Sequence, residues 1–340
     1  MIISDKFIYS TIWDWESLEL ITNVLSISKN CTFIYNCQQE YEIIDSYNSD
    51  ILKKIADLSI KNNISILLIF GSLDLHHSHY PKEFLDNVKV IYDPTYWLRQ
   101  TINSIPDHIQ NFKTPEYQHL FCCFVNKPKK HRCEFIDELY NSKANELGYH
   151  TWNNLTPYYE FKHWEQTIIK SSDKFKTEKH FVNNWILTSS EYNNALLDLV
   201  LETTDSCTFF TEKTYKPIVL KKLFLIYGCP LNNQNLKHLG FELYDEIIDY
   251  SFDFENDNIK RAKLLCEELK RLSKYKNNYN VLYEKVKYKI EHNFNTALYL
   301  STKRNLFEAK NSLEHLISNV DLNQQNLLIS LNELKKDLYL

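Results

Sequence analysis

Short, continuous apolar runs of strand length are the feature of this sequence that most constrains its fold. They alternate with helical patterns, such as the apolar face formed by Ile51, Ile55 and Leu58. A short continuous apolar run is typical of a strand buried on both faces, as in a parallel sheet. The alternation therefore predicts an α/β fold with crossover helices between parallel strands. The predicted strands span residues 31–35, 64–71, 88–92, 119–125, 196–201 and 223–228.

The length and a break in the pattern indicate two domains. A chain of 340 residues is long enough for two, at roughly 100–200 residues each. Residues 103–118 include Pro106 and Pro115 and show no clean period. We therefore predict one α/β domain over residues 1–112 and a second over residues 113–300, followed by C-terminal helices over residues 301–340.

The C-terminal helices carry an apolar repeat that has two interpretations. The first is a coiled-coil handle through which the protein forms a homo-oligomer. The second is a helical hairpin packed on the body of the protein. We favour the hairpin, because fewer than about four clean heptads are present. The repeat consists of Leu306, Ala309, Leu313, Leu316 and Val320, followed by Leu327, Leu331, Leu334 and Leu338.

Charge and composition exclude some classes of protein. The 39 basic and 44 acidic side chains give a net charge of −5, which argues against a dedicated binder of duplex DNA. The eight cysteines form no CxxC pair and are expected to be free buried thiols in a reducing compartment. We find no signal peptide, and the apolar run at 64–70 is far below the roughly 20 residues of a membrane span. The sequence therefore predicts a cytoplasmic protein without a membrane span.

The scarcity of glycine limits how a nucleotide is bound. The chain has only Gly71, Gly148, Gly228 and Gly240, and it contains neither GxGxxG nor a P-loop. A bound nucleotide must therefore be held by side chains and by helix N-termini.

The segment that follows the predicted strand 196–201 is the strongest candidate site. Glu202 ends the strand, and a helix is predicted from about Thr211 to Lys221. Ligands bind beyond the carboxyl ends of parallel strands, where a helix N-terminus attracts an anion. Lys213 and Lys216 suit a diphosphate, and Glu212 suits a ribose hydroxyl. An equally good interpretation is helix capping by Thr211, with Glu212 complementing the helix dipole.

The same segment resembles a known enzyme family. A strand that ends in Glu, followed by a loop and Thr-Glu-Lys at 211–213, resembles the donor-site signature of α1,3-fucosyltransferase-like enzymes. The fuller motif at 210–218, with Gly-Phe at 240–241, is similar to glycosyltransferase-like proteins of phages and large viruses. Upstream, Asn126 and Arg132 resemble that family's strand–Asn–loop–Arg–helix opening. The resemblance covers roughly residues 119–245.

The resemblance implies a metal-independent GT-B glycosyltransferase, with two Rossmann-like domains that face a cleft. Residues 1–112 would be the acceptor-side domain, and residues 113–300 would bind the nucleotide-sugar, which is a substrate and not a cofactor. Arg132 and Lys213 would contact the diphosphate, Glu212 the ribose, and Glu202 the sugar or the loop. The segment 203–210 matches the family poorly, and Pro217 departs from its pattern. The resemblance therefore does not identify the sugar or the base of the nucleotide. For a viral protein, the compartment would be the host cytoplasm.

A catalytic base is expected from the first domain. The loop after residues 64–70 contains Asp74, His76 and His77, and a carboxylate or imidazole there can accept the proton of an acceptor hydroxyl. An ordinary surface loop is the alternative, and a zinc site that also uses His79 is a weaker one.

These observations predict a glycosyltransferase that moves a sugar from a nucleotide-diphosphate donor to a hydroxyl of a glycan, a protein or a modified DNA base. One rival is a nucleic-acid-binding or -modifying protein on the same fold, which would use the basic residues at 127–132. The other is a catalytically inactive interaction scaffold that uses its C-terminal helices.

Overall fold

The computed structural model describes residues 2–3, 7–11, 18–37, 49–73, 88–104, 117–125, 129–152 and 190–302. The chain divides into two compact units. The first comprises Met1–Trp97 with Leu300–Leu340, and the second comprises Leu98–Tyr299.

The first unit is built on a sheet whose strands follow one another in chain order. Strand β2 pairs in parallel with β3, β3 with β4, and β4 with β5, while β1 adds an antiparallel edge. The strands are β1 (Ile2–Ile3), β2 (Phe7–Thr11), β3 (Thr32–Cys37), β4 (Ser65–Phe70) and β5 (Val88–Tyr92).

Two crossover helices pack on one face of this sheet. They are α1 (Leu18–Ile27) and α2 (Ser49–Asn62), and they also contact each other. Right-handed crossovers between strands added in one direction place successive helices on the same face. Phe33 and Leu68 point from alternate strand positions into the core that Leu25, Leu52 and Ile55 complete. A further helix, α3 (Tyr96–Ser104), follows β5.

The second unit contains a parallel sheet of order β7-β6-β8-β9. Every residue of β8 and β9 is buried, as expected for strands covered on both faces. The strands are β6 (His119–Val125), β7 (Gly148–Trp152), β8 (Ala195–Leu201) and β9 (Leu223–Tyr227).

Helices surround and follow the second sheet. The helix Asn258–Leu272 packs against the helix Lys130–Asn141. The helices are α4 (Lys130–Asn141), α5 (Ser190–Asn193), α6 (Glu212–Val219), α7 (Asn232–Leu236), α8 (Asn258–Leu272) and α9 (Asn280–Thr302). Short 3-10 turns lie at Ala144–Leu147, Lys237–Leu239, Ser251–Phe254 and Ser273–Tyr275.

The predicted α/β class with parallel sheets is confirmed. Two Rossmann-like domains that face a cleft stay a prediction. Helix α6 ends at Val219 and is shorter than the sequence suggested, because Lys221 adopts a left-handed backbone with φ of 52°. Most of the predicted break at 103–118 and the predicted helices beyond residue 302 lie outside the described residues. Within the described parts, no helix has the length and apolar character to cross a membrane.

Candidate functional site at the carboxyl ends of β6 and β8

In the second sheet, the strands that follow β6 in the sequence lie on both sides of it. Strand β7 is added on one side of β6, and β8 and β9 are added on the other. Open parallel sheets bind ligands beyond the carboxyl ends of two such strands, because the chains that leave them diverge. Helix α4 follows β6 here, and α6 follows β8. We call the residues of these connections the switch-point site: Arg132, Glu202, Thr211, Glu212 and Lys213.

The carboxylate of Glu202 is completely buried at the end of β8. Its Oε1 accepts hydrogen bonds from the backbone N–H of Thr211 at 2.9 Å and from the hydroxyl of Thr214 at 2.6 Å. Its Oε2 accepts from the backbone N–H of Thr203 and from the hydroxyl of Thr211, both at 2.9 Å. A buried charge is tolerated when donors satisfy both of its oxygens. Glu202 therefore closes the loop 203–211 by binding both of its ends.

The N-terminus of α6 is capped from within. Thr211 has an extended backbone, and its hydroxyl accepts the backbone N–H of Lys213 at 3.3 Å. This is the capping arrangement that the sequence left as one alternative. It leaves the first turn of α6 less open to an anion than a bare helix N-terminus.

The backbone of Glu202 joins the other helix of the site. Its carbonyl oxygen accepts Nε of Arg132 at 3.0 Å and lies 3.0 Å from Nε2 of His131. Its N–H donates to the carbonyl of Tyr227, at the end of β9, at 2.8 Å. Arg132 is only 3% exposed; burial lowers its pKa, and the nearby Glu202 and Glu212 carboxylates oppose that effect. Its cation thus lies at the floor of the site.

The N-terminus of α4 carries basic residues. Its N-cap residue is Lys129, whose side chain makes no capping hydrogen bond, and its first turn contains no acidic residue. Lys130 in that turn is exposed. Helix N-termini with free N–H groups and adjacent cations attract anions. This end of α4 therefore contributes positive potential to the site.

Glu212 and Lys213 form an ion pair beside Thr211. Nζ of Lys213 lies 2.7 Å from Oε1 of Glu212 and also donates to the Thr211 hydroxyl at 3.3 Å. Burial alone would raise the pKa of Glu212, but the charge and hydrogen bond of Lys213 outweigh it, so the pKa lies below its ordinary value. The Lys213 side chain is 32% exposed. It can therefore reach a ligand.

Lys216 does not join these residues. It is buried, with Nζ 4.9 Å from the centre of the Tyr192 ring and 5.8 Å from that of Phe124. Its charge and that of Lys222 stabilise the ionised form of Asp198, whose pKa burial raises. Lys222 donates to the carbonyl of Ala195 at 2.5 Å. Lys216 thus belongs to a buried charge cluster with Asp198 and Lys222.

A polar chain beside His131 was not anticipated from the sequence. Nδ1 of His131 lies 3.5 Å from Oδ1 of Asp205, whose Oδ2 accepts the Asn258 amide at 2.6 Å. Arg261 is fully buried and donates both to the carbonyl of Gly228 and to Oδ1 of Asn258. Burial lowers the pKa of His131 to about 4, while Asp205 opposes that change. The imidazole is therefore neutral at pH 7. In the sequence, this set of polar contacts is indicated by a single acidic residue, Asp205, in a loop of Ser and Thr residues.

Several predicted site residues lie outside the described residues. They are Asn126 and the proposed base candidates Asp74, His76 and His77. Their roles stay predictions. Within the described parts of the chain, no group of His, Cys, Asp and Glu side chains is placed to hold a metal ion.

Comparison with models of protein families, with curated proteins and with solved structures finds no match to this chain. The chemistry of the switch-point site and the motif resemblance therefore carry the functional argument.

Proposed function

We propose that this protein is a glycosyltransferase whose second unit binds a nucleotide-diphosphate-sugar at the switch-point site. The observation that carries the proposal is that Glu202 joins both helices of the site. Its carbonyl accepts a hydrogen bond from Arg132 of α4, and its carboxylate binds Thr211, the N-cap of α6, whose hydroxyl accepts Nζ of Lys213. The family resemblance gives the diphosphate contacts to Arg132 and Lys213, and the ribose contact to Glu212.

The arrangement suits a ligand that carries both phosphates and hydroxyls. Arg132, Lys213 and the N-terminus of α4 provide positive potential for a diphosphate. Glu212 and the partly exposed Asp205 are acceptors that hydroxyl groups of a ribose or a sugar can satisfy.

The chemistry that follows is stabilisation of the leaving group. When the sugar leaves its donor, negative charge develops on the diphosphate. Fixed cations and N–H groups stabilise that charge without having to reorganise during the reaction. Holding the donor in one orientation supplies the remainder of the rate enhancement. The acceptor is a hydroxyl compound, and Asp74, His76 and His77 stay the candidates for its base.

A thermal-shift screen tests the proposal. The protein is heated with GDP, UDP, ADP, CMP and dTDP, and with their sugar conjugates, without added metal and again with Mg²⁺. We expect one diphosphate to raise the melting temperature, since a ligand at 100 times its Kd stabilises the native state by about 2.7 kcal/mol. Calorimetric titration then measures its Kd.

Three variants locate the site. Arg132→Ala and Lys213→Ala should each reduce the shift, whereas Lys263→Ala, which replaces an exposed lysine on α8, should retain it. A folded wild-type protein that none of these ligands stabilises would contradict the proposal. So would a shift that neither site substitution reduces.

A further inference from the structure

We infer that Glu202 is a positioning residue that sets the place of Lys213 relative to Arg132, with its carboxylate acting on α6 and its carbonyl acting on α4. The inference rests on the proposed function, because it assigns Glu202 a role in binding the same diphosphate. The resemblance had placed Glu202 near the sugar or the loop. Its complete burial and its hydrogen bonds give it a different task.

The carboxylate controls the start of α6. It binds the backbone N–H and the hydroxyl of Thr211, and the hydroxyl of Thr214 one turn further on. Thr211 in turn accepts both the N–H and Nζ of Lys213. The position of the Lys213 cation therefore depends on the Glu202 carboxylate through a single intervening residue.

The carbonyl controls Arg132. It accepts the guanidinium Nε at 3.0 Å, which fixes the direction in which the remaining N–H groups point. This contact involves the backbone of Glu202 and not its side chain. The two cations are thus held by two chemically separate parts of one residue.

Replacement of Glu202 by Gln separates these parts. The carboxylate has two acceptor oxygens, and each of them receives one backbone N–H and one hydroxyl. An amide supplies one acceptor oxygen and one NH₂ donor. Whichever way the amide is oriented, its NH₂ faces the N–H of Thr203 or that of Thr211. One end of the loop 203–211 must then be released, while the carbonyl bond to Arg132 is unchanged.

A displaced Lys213 binds a diphosphate less well because the cations are no longer preorganised. The loss should therefore depend on the presence of Lys213. It should not depend on Arg132, which the carbonyl holds. A general loss of stability would weaken binding in every background alike, so the dependence distinguishes positioning from a merely structural role.

Double-mutant cycles test this prediction. Kd is measured by calorimetry for the diphosphate, among GDP, UDP, ADP and dTDP, that stabilises the wild type most. Glu202→Gln is made in the wild type, in Lys213→Ala and in Arg132→Lys. We expect a weakening of about tenfold in the wild-type and Arg132→Lys backgrounds, and of less than about twofold in Lys213→Ala. Equal weakening in all three backgrounds would overturn the inference, as would no weakening at all.

A second variant covers the case in which Glu202→Gln does not fold. Thr214→Val removes one hydroxyl donor and leaves both backbone N–H groups bound. It should weaken binding less, and again only while Lys213 is present; equal effects with and without Lys213 would overturn the inference. If the wild type binds none of the diphosphates, the proposed function fails and this inference fails with it. If the wild type binds and the cycle shows no coupling, only this inference fails.

Discussion

Nε of Arg132 donates a hydrogen bond to the carbonyl oxygen of Glu202 at 3.0 Å, although the two residues are 70 positions apart in the sequence. The contact brings the first turn of α4 to the carboxyl end of β8. It also fixes the orientation of the guanidinium group. A cation oriented in this way favours a ligand with a defined geometry, such as a diphosphate.

Arg132→Lys should therefore weaken binding although the charge is retained. Lysine has no planar fork and cannot donate at once to the Glu202 carbonyl and to a phosphate in the same plane. We expect Kd for the bound diphosphate to rise by about tenfold, which corresponds to about 1.4 kcal/mol. Calorimetric titration of the variant beside Lys263→Ala measures the difference. Unchanged affinity would show that Arg132 contributes only its charge.

The two lysines of α6 should respond differently to substitution. Lys213→Ala should reduce diphosphate affinity with little change in stability, because a partly exposed ion pair is worth about 0–1 kcal/mol. Lys216→Met should destabilise the fold by about 3 kcal/mol, since it leaves the buried Asp198 charge with one cation fewer. Urea unfolding and calorimetric titration are measured on both variants. A stable Lys216→Met protein that binds poorly would place Lys216 at the ligand instead.

Gly228→Ala should destabilise the protein, because the added Cβ would be too close to atoms that lie beside Glu202. A Cβ at this position would lie 2.3 Å from Nδ2 of Asn232 and 3.2 Å from both Cβ of Glu202 and the carbonyl oxygen of Thr204. Overpacking of this kind costs about 1–3 kcal/mol. The free energy of unfolding in urea measures the loss.

Asn232→Ala provides the control for that prediction. Because it removes the atom in the closest contact, the double variant should recover part of the stability that Gly228→Ala loses, relative to Asn232→Ala alone. The contact with Thr204 remains, so full recovery is not expected. Strictly additive losses would show that the clash with Asn232 is not the cause.

His131 should make stability depend on pH. Burial lowers its pKa from 6.5 to about 4 in the folded protein, so the unfolded chain takes up the proton first as the pH falls. The stabilisation is complete above about pH 6.5 and is lost progressively as the pH falls to about 4, by roughly 3 kcal/mol in all. His131→Gln keeps a donor for the Glu202 carbonyl and does not titrate.

Urea unfolding at several pH values between 7.5 and 4.5 compares the wild type with His131→Gln. The wild type should lose stability more steeply towards low pH. The opposite result would be a wild type that loses stability relative to the variant as the pH rises through 6.5. That result would contradict the predicted direction of the pH dependence. It would mean that His131 is protonated and paired with Asp205.

The strands and one helix cap were predictable because they depend on local pattern. The apolar run at 119–125 matches β6, and Val88–Tyr92 matches β5. Thr211 acts as the N-cap of α6, as its side chain and the following Glu suggested. Each of these features is determined by neighbouring residues, which a single sequence displays.

The site itself depends on contacts that no local pattern contains. Both Lys213 and Lys216 follow the same cap, and only the packing of α6 on Phe124 and Tyr192 shows that Lys216 points inward. Asp198 within an otherwise apolar strand was the available signal that a buried cation was needed. The threonines around Glu202 become its partners only when the loop folds back on the strand. The His131–Asp205–Asn258 chain joins three separate segments.

The pairing of β6 with β8 has a consequence for biosynthesis. Strand β8 can pair with β6 only after β7 and the connection that follows it have been synthesised. This pairing therefore closes a long loop, which carries an entropic cost. During synthesis, α4 and its Arg132 leave the ribosome well before β8 and Glu202, whose carbonyl oxygen accepts the Arg132 hydrogen bond. The contact between Arg132 and Glu202 can therefore form only after β8 has paired with β6.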